Sequence, residues 1–333
     1  MKLLILGATV MRFNQILFRR LGQSRGRSPG STARALAAAN VAAAVLVLAA
    51  CSGGPAASGT DASRTDEVGK RPVVVVATLP VLADLARNVG GELVEVRAVV
   101  PPGVDAHSYQ TEPGDSVIIS QADLTISNGA DMDDALIPAL EGARPADAIH
   151  VVASDGLDGG SSGVSEGDPH FWQNPLQAIH YVEQIRDGLI QVDPSNAARY
   201  REQAQQYTAR LEMLDEEIAG LLDQVPPRRR ILITHHQAFS HLARQYGCQT
   251  LALAPGDAGS VTPDAIIQAS QKIRDTGVPS VFVEARFSSS ALDQVARDAG
   301  INVSPLYAGL GGEARTYVEM MQFNARSLVD NLR

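Results

Sequence analysis

The chain has 333 residues, 45% of them hydrophobic and 20% charged, with 37 acidic residues against 28 basic ones for a net charge of −9. Residues 1–50 hold seven of those basic residues (Lys2, Arg12, Arg19, Arg20, Arg25, Arg27, Arg34) and no acid, so the remainder has 21 basic residues against 37 acids, a charge of −16. That imbalance argues against nucleic acid or an anionic membrane face as partner.

Within the first fifty residues, Ala35 to Ala50 is apolar but shorter than the about 20 residues of a membrane span. It ends in Leu48-Ala49-Ala50-Cys51. A basic region, an apolar core and small residues before a cut read as a secretory signal. The cysteine directly after them resembles the bacterial lipoprotein signal, whose processing leaves a lipidated Cys51 as the new N-terminus. An uncleaved membrane anchor is the competing reading, and Met11 competes with Met1 as the start. With Cys51 lipidated, Cys248 has no internal disulfide partner. It reads as a small buried residue beside Gly247. Residues 51–70, small and polar, read as a flexible tether. Residues 71–333 are enough for two domains of ordinary size.

From there strand and helix alternate. Val73–Ala77 is a continuous β-branched run, as expected of a strand buried on both faces. A helical stretch comes next, with Leu82, Leu85 and Ala86 on one side. Leu93–Val100 reads as a strand, Ser116–Ala122 as a short helix, and Leu124–Ser127 and Ile149–Val152 as further strands. Ile231–Thr234, Gln249–Leu253, Ser280–Val283 and Asn302–Pro305 repeat the rhythm. The pattern predicts an α/β fold of two parallel-sheet lobes, residues 71–192 and 227–333. Between them, 193–226 reads as one linking helix. Asp193-Pro194 places an N-cap acid before a first-turn proline. Tyr200, Ala204, Tyr207, Leu211, Leu214, Ile218, Leu221 and Val225 form an apolar stripe, and Pro226-Pro227 ends it. At 1.5 Å per residue this predicts a helix of about 45 Å. A coiled-coil seam is the competing reading, but the flanking positions lack a regular charge code. Packing against the chain's own lobes, and so a monomer, is favoured.

Three of the seven histidines stand in unusual contexts. His107 follows a strand through Pro101-Pro102-Gly103. His170 lies in Gly167-Asp168-Pro169-His170-Phe171-Trp172, after the loop Asp155–Gly167. His236 ends the run Ile231–Thr234. In open α/β sheets ligands bind beyond the carboxyl ends of strands, and imidazole is the commonest nitrogen ligand for a transition metal. Convergence would make a metal site in the interlobe cleft. The bland reading of each histidine alone is a hydrogen-bonded loop residue. His150, His180 and His241 read as ordinary strand or helix positions, and His235 ranks behind His236. Trp172 reads as core at a domain face, or as part of the apolar shell around the site.

The chain resembles the cluster A-I solute-binding lipoproteins of bacterial zinc and manganese ABC transporters, from about residue 72 to 333. The resemblance rests on Pro-Gly-Val-Asp-Ala-His-Ser-Tyr-Gln at 102–110, Asp-Pro-His-Phe-Trp-Gln-Asn-Pro at 168–175 and Asp-Pro-Ser-Asn-Ala-Ala-Arg-Tyr at 193–200. It also rests on His-Gln-Ala-Phe-Ser-His-Leu-Ala at 236–243 and Thr-Tyr-Val-Glu-Met-Met at 316–321. It implies metal ligation by His107, His170 and His236, and two lobes joined by one long helix. It also implies a fourth ligand, Asp or Glu, in a loop after the last strand. Here that stretch, 305–312, carries no acid. Glu284 is the candidate fourth ligand, with Glu313 or a water as the other substitutes. The His-rich loop of many zinc members has no counterpart in Asp155–Gly167.

Three imidazoles and an oxygen suit tetrahedral Zn²⁺, whereas Mn²⁺ prefers more carboxylate. In the manganese members the resemblance places a carboxylate at the third position, where this chain has His236. Zinc is therefore the expected cargo and manganese the alternative. The expected role is an extracytoplasmic receptor, anchored through Cys51, that delivers the ion to an ABC permease and its ATPase. A metal-binding adhesin or sensor is a second reading. A zinc hydrolase is a third, disfavoured because the chain has no His-Glu-x-x-His helix and no general base at fixed spacing.

Overall fold

The computed structural model describes residues 71–157, 167–254, 260–285 and 288–333. The expected signal, Cys51, the tether and most of the 155–167 loop lie outside the described residues.

Four valines and an alanine build β1 (Val73–Ala77), buried along almost its whole length. Pro80 starts α1 (Pro80–Gly90) at the first-turn position. The chain continues through β2 (Val94–Ala98), α2 (Pro113–Ile119), β3 (Leu124–Ser127), α3 (Ile137–Ala143) and β4 (Ile149–Val152). All four strands run parallel in the order β2-β1-β3-β4. The first helix is buried on most sides rather than on one, from Val81 to Ala86 and again at Val89. It lies under two further helices, α4 (Pro175–Val192) and α5 (Ala197–Leu222), as well as beside the sheet.

The linking helix begins later than expected. Pro194–Asn196 forms a separate 3₁₀ turn, and the Asp193 carboxylate accepts from Ser195 Oγ, Asn196 Nδ2 and Tyr200 Oη. Twenty-six residues of α5 then span about 39 Å at 1.5 Å each. Its buried stripe runs from Tyr200 through Ile218 as expected but closes on Leu222, while Leu221 is half-buried. A 4-3 repeat averages 3.5 residues per turn, whereas a straight helix needs 3.6 and drifts about 20° per heptad. After three heptads the next residue faces the core. The helix packs against α1, α4 and the C-terminal helix of its own chain.

The second half contains β5 (Ile231–Thr234), α6 (Ser240–Gln245), β6 (Gln249–Ala252), α7 (Pro263–Thr276), β7 (Ser280–Glu284), α8 (Ser290–Ala299), β8 (Asn302–Leu306) and α9 (Tyr317–Leu332). Its strands form two parallel pairs, β5-β6 and β7-β8, with β5 beside β7. Cys248 is half-buried rather than buried, and burial pushes its thiol up to about 11. Among the described residues no helix is long and apolar enough to cross a membrane.

Candidate metal site

Each histidine is aimed by its local backbone. Beyond β2, Val99 and Val100 still bond to Ala77 O and Thr78 O, and the chain then turns at Gly103, whose φ of 77° favours glycine. The Asp105 carboxylate accepts the His107 N–H at 3.0 Å and the Ser108 hydroxyl at 2.8 Å, an Asx turn that sets the His107 backbone. His236 follows β5, where Thr234 Oγ donates to its carbonyl at 2.8 Å. His170 is 1% exposed and caps the 3₁₀ turn Phe171–Gln173.

The three converge. One ring nitrogen from each of His107, His170 and His236 lies within 4.8 Å of the other two. The His107 and His170 Nε2 atoms are 3.3 Å apart, and the ring centroids lie 5.3 to 5.9 Å from one another. Two of the rings have a carboxylate behind them. His170 Nδ1–H donates to Asp168 Oδ1 at 2.8 Å, and His236 Nδ1 contacts Glu284 Oε1. A carboxylate on Nδ1 selects the tautomer that leaves Nε2 as the ligand atom. Glu284, the candidate fourth ligand, is buried at the end of β7, lines the same cavity and contacts His236 Nδ1, while the clustered set itself consists of the three histidines. Glu313 is exposed.

Asp168 is itself over-determined. Burial pushes its carboxyl up. The hydrogen bond and charge of His170, the charge of His241 and the His170 N–H outweigh that and hold it below the usual carboxylate range. Its second oxygen accepts the Ser240 N–H at 3.0 Å, and its carbonyl accepts His241 Nε2–H at 2.9 Å. Burial lowers His241, keeping that ring neutral. Sequence reasoning read His241 as an ordinary strand or helix position and saw Asp168 only as part of the segment that carries His170. The Asp-x-His spacing was the available signal.

The remaining histidines stay apart. His235 turns to Ser289 Oγ, His150 to Thr125 and Ser127, and His180 to the Asp155 carbonyl. Trp172 serves both expected roles. It is 2% exposed, its ring meets His170 edge-on at 5.0 Å, and its indole N–H donates to Ala308 O. The cavity these groups enclose has about 80 Å³ of free space, walled by Leu79, Val104, Tyr307 and Leu310 besides the histidines and Trp172, with Asp105 and Glu284 also on its lining. Organic ligands need about 300 Å³ or more, so the space suits an ion and its waters.

Two parallel α/β halves closing three imidazoles into a small apolar cavity define a binding protein for a metal ion. Residues 75–331 match the family described as zinc-uptake complex component A, periplasmic, and the chain belongs to that family of metal-binding solute receptors of ABC importers. It is 28% identical over 306 residues to the manganese ABC transporter substrate-binding lipoprotein PsaA of Streptococcus anginosus, covering 86% of this chain and 95% of that one. It is 30% identical over 266 residues to the iron-binding protein YfeA of Yersinia pestis, covering 76% and 84%. The structure of the Mn-bound periplasmic metal binding protein from Candidatus Liberibacter asiaticus superposes with a TM-score of 0.71 at 28% identity, over 78% of this chain and all of that one.

Proposed function

We propose that this chain captures Zn²⁺ outside the cytoplasmic membrane through His107, His170 and His236 and hands it to a transmembrane permease driven by a cytoplasmic ATPase. The supporting observation is the nitrogen cluster itself, three imidazole donors within 4.8 Å of one another. Three neutral nitrogens and one oxygen form a tetrahedral zinc set, whereas the harder Mn²⁺ draws its affinity from carboxylates. A water fills the fourth position, with Glu284 orienting His236. Lipidation at Cys51 anchors the receptor, which acts as a monomer of two lobes, 71–192 and 227–333, bridged by 193–226. Its role is that of a receptor rather than an enzyme, in keeping with the family it belongs to.

Manganese is the second reading, supported by the relatives named for it and by the Mn-bound neighbour. Metal analysis of the purified chain by mass spectrometry, with a competition titration of Zn²⁺ against Mn²⁺, separates the two. Tighter Mn²⁺ binding would overturn the zinc assignment.

A further inference from the structure

His170 is borne by the first half of the chain but fastened to the second. Four of the seven residues along 168–174 hydrogen-bond across, while the Pro169 carbonyl accepts Asn128 Nδ2–H from the first half at 3.1 Å. Asp168 takes the Ser240 N–H and the His241 ring. Phe171 packs on the His241 ring at 4.5 Å between centroids. Trp172 donates to Ala308 O and receives the Tyr317 hydroxyl on its carbonyl at 2.6 Å. Gln173 Nε2 donates to Tyr307 O and Ala308 O at 3.0 and 2.9 Å, and Asn174 Nδ2 donates to Gln245 Oε1 at 3.2 Å. These residues are mostly buried, so the bonds are shielded from water.

The His107 turn is built differently. Val104, His107, Ser108 and Tyr109 bond to Pro101, Asp105, Asp105 and Ala106, and the Tyr109 hydroxyl bonds to Asp115, all within the first half. Gly103 N–H reaches across to Leu310 O. Val104 is 46% exposed beside the cavity.

We propose that residues 168–174 form a strap that joins His170 to His236 as a preformed pair. Asp168 is the positioning residue that fastens it, and the His107 turn is the part that opens to admit and release the ion. This rests on the three-histidine reading of the site. Opening by separation of two rigid halves would have to break the strap's buried bonds. Moving the 101–109 turn leaves them intact.

Hydrogen exchange on the full chain, without and with zinc, tests it. Amides of 101–109 are expected to gain protection on zinc addition, while those of 168–174 and Ser240 are already protected without metal. In Asp168→Asn the amide can face His170 or Ser240 as an acceptor but not both. Zinc affinity should fall about 10–100-fold, the ¹⁵N signature of a fixed His170 Nδ1–H should be lost, and 168–174 should exchange faster. Gly311→Ala is the independent variant, because its new Cβ would meet Gly103 Cα at 2.6 Å and push on the turn. It should weaken zinc binding and leave the protection of 168–174 unchanged. Equal gains in both segments, or unchanged affinity in Asp168→Asn, overturns the strap alone. Failure of the parent chain to bind zinc overturns the three-histidine reading and the strap with it.

Discussion

The Nε2 atoms of His107 and His170 face each other across 3.3 Å. For Zn–N bonds of 2.0–2.1 Å at the tetrahedral angle the nitrogens stand about 3.3–3.4 Å apart, so the pair is already spaced for the ion.

Loss of a ligand should separate binding from folding differently at each histidine. His107→Ala, at a half-buried turn, should weaken zinc binding by more than the about 10–100-fold of a lost orienting group and leave the apo melting temperature near the parent's. His170→Ala should weaken binding as strongly and also lower the apo melting temperature, since the buried Asp168 carboxylate loses its closest partner. Parent-like affinity in either variant would remove that residue from the site.

The proposed role of Glu284 is to orient His236 rather than to ligate, and two variants distinguish the roles. Glu284→Gln keeps an acceptor for His236 Nδ1–H and should retain most zinc affinity. Glu284→Ala leaves His236 unsupported and should lose about 10–100-fold. A competition titration reads both, and equal, severe losses would make Glu284 a direct ligand.

The α5 register can be weighed directly. Leu222→Ala empties a fully buried position and should cost about 2–5 kcal/mol in denaturant unfolding. Leu221→Ala, one residue earlier and half-buried, should cost clearly less. The reverse order would restore the sequence-based stripe.

Apo stability should fall on acidification. Burial holds His241 and His150 below the ordinary imidazole value, so both stay neutral in the fold while the unfolded chain takes up protons below about pH 6.5. Their contribution is complete above that pH and shrinks beneath it. Asp168, held low, adds a loss further down as pH drops below about 3.9. Asp84 acts in the opposite sense, because burial raises it and acid relieves the buried charge. Melting curves from pH 8 to 4 should show the fall, shallower in His241→Gln and steeper in Asp84→Asn. A melting temperature that rises from pH 7 to 5 would refute the assignment.

The strands were legible because β-branched runs such as Val73–Ala77 and Ile231–Thr234 carry their burial in their composition, whichever neighbours they pair with. The three histidines were legible because turn residues and strand ends mark where a parallel sheet presents ligands. Leu222 was missed because a 3.5-residue repeat and a 3.6-residue helix diverge slowly, and only the packed helix shows where the stripe ends. Strand composition, strand-end histidines and their residue types thus determined the fold class and the kind of ligand. The tertiary structure alone decided that Glu284 stands behind His236 and that Ser240 and His241 hold Asp168. Those partners lie 48, 72 and 73 residues apart, and no local pattern encodes a contact that exists only once distant segments of the chain pack together.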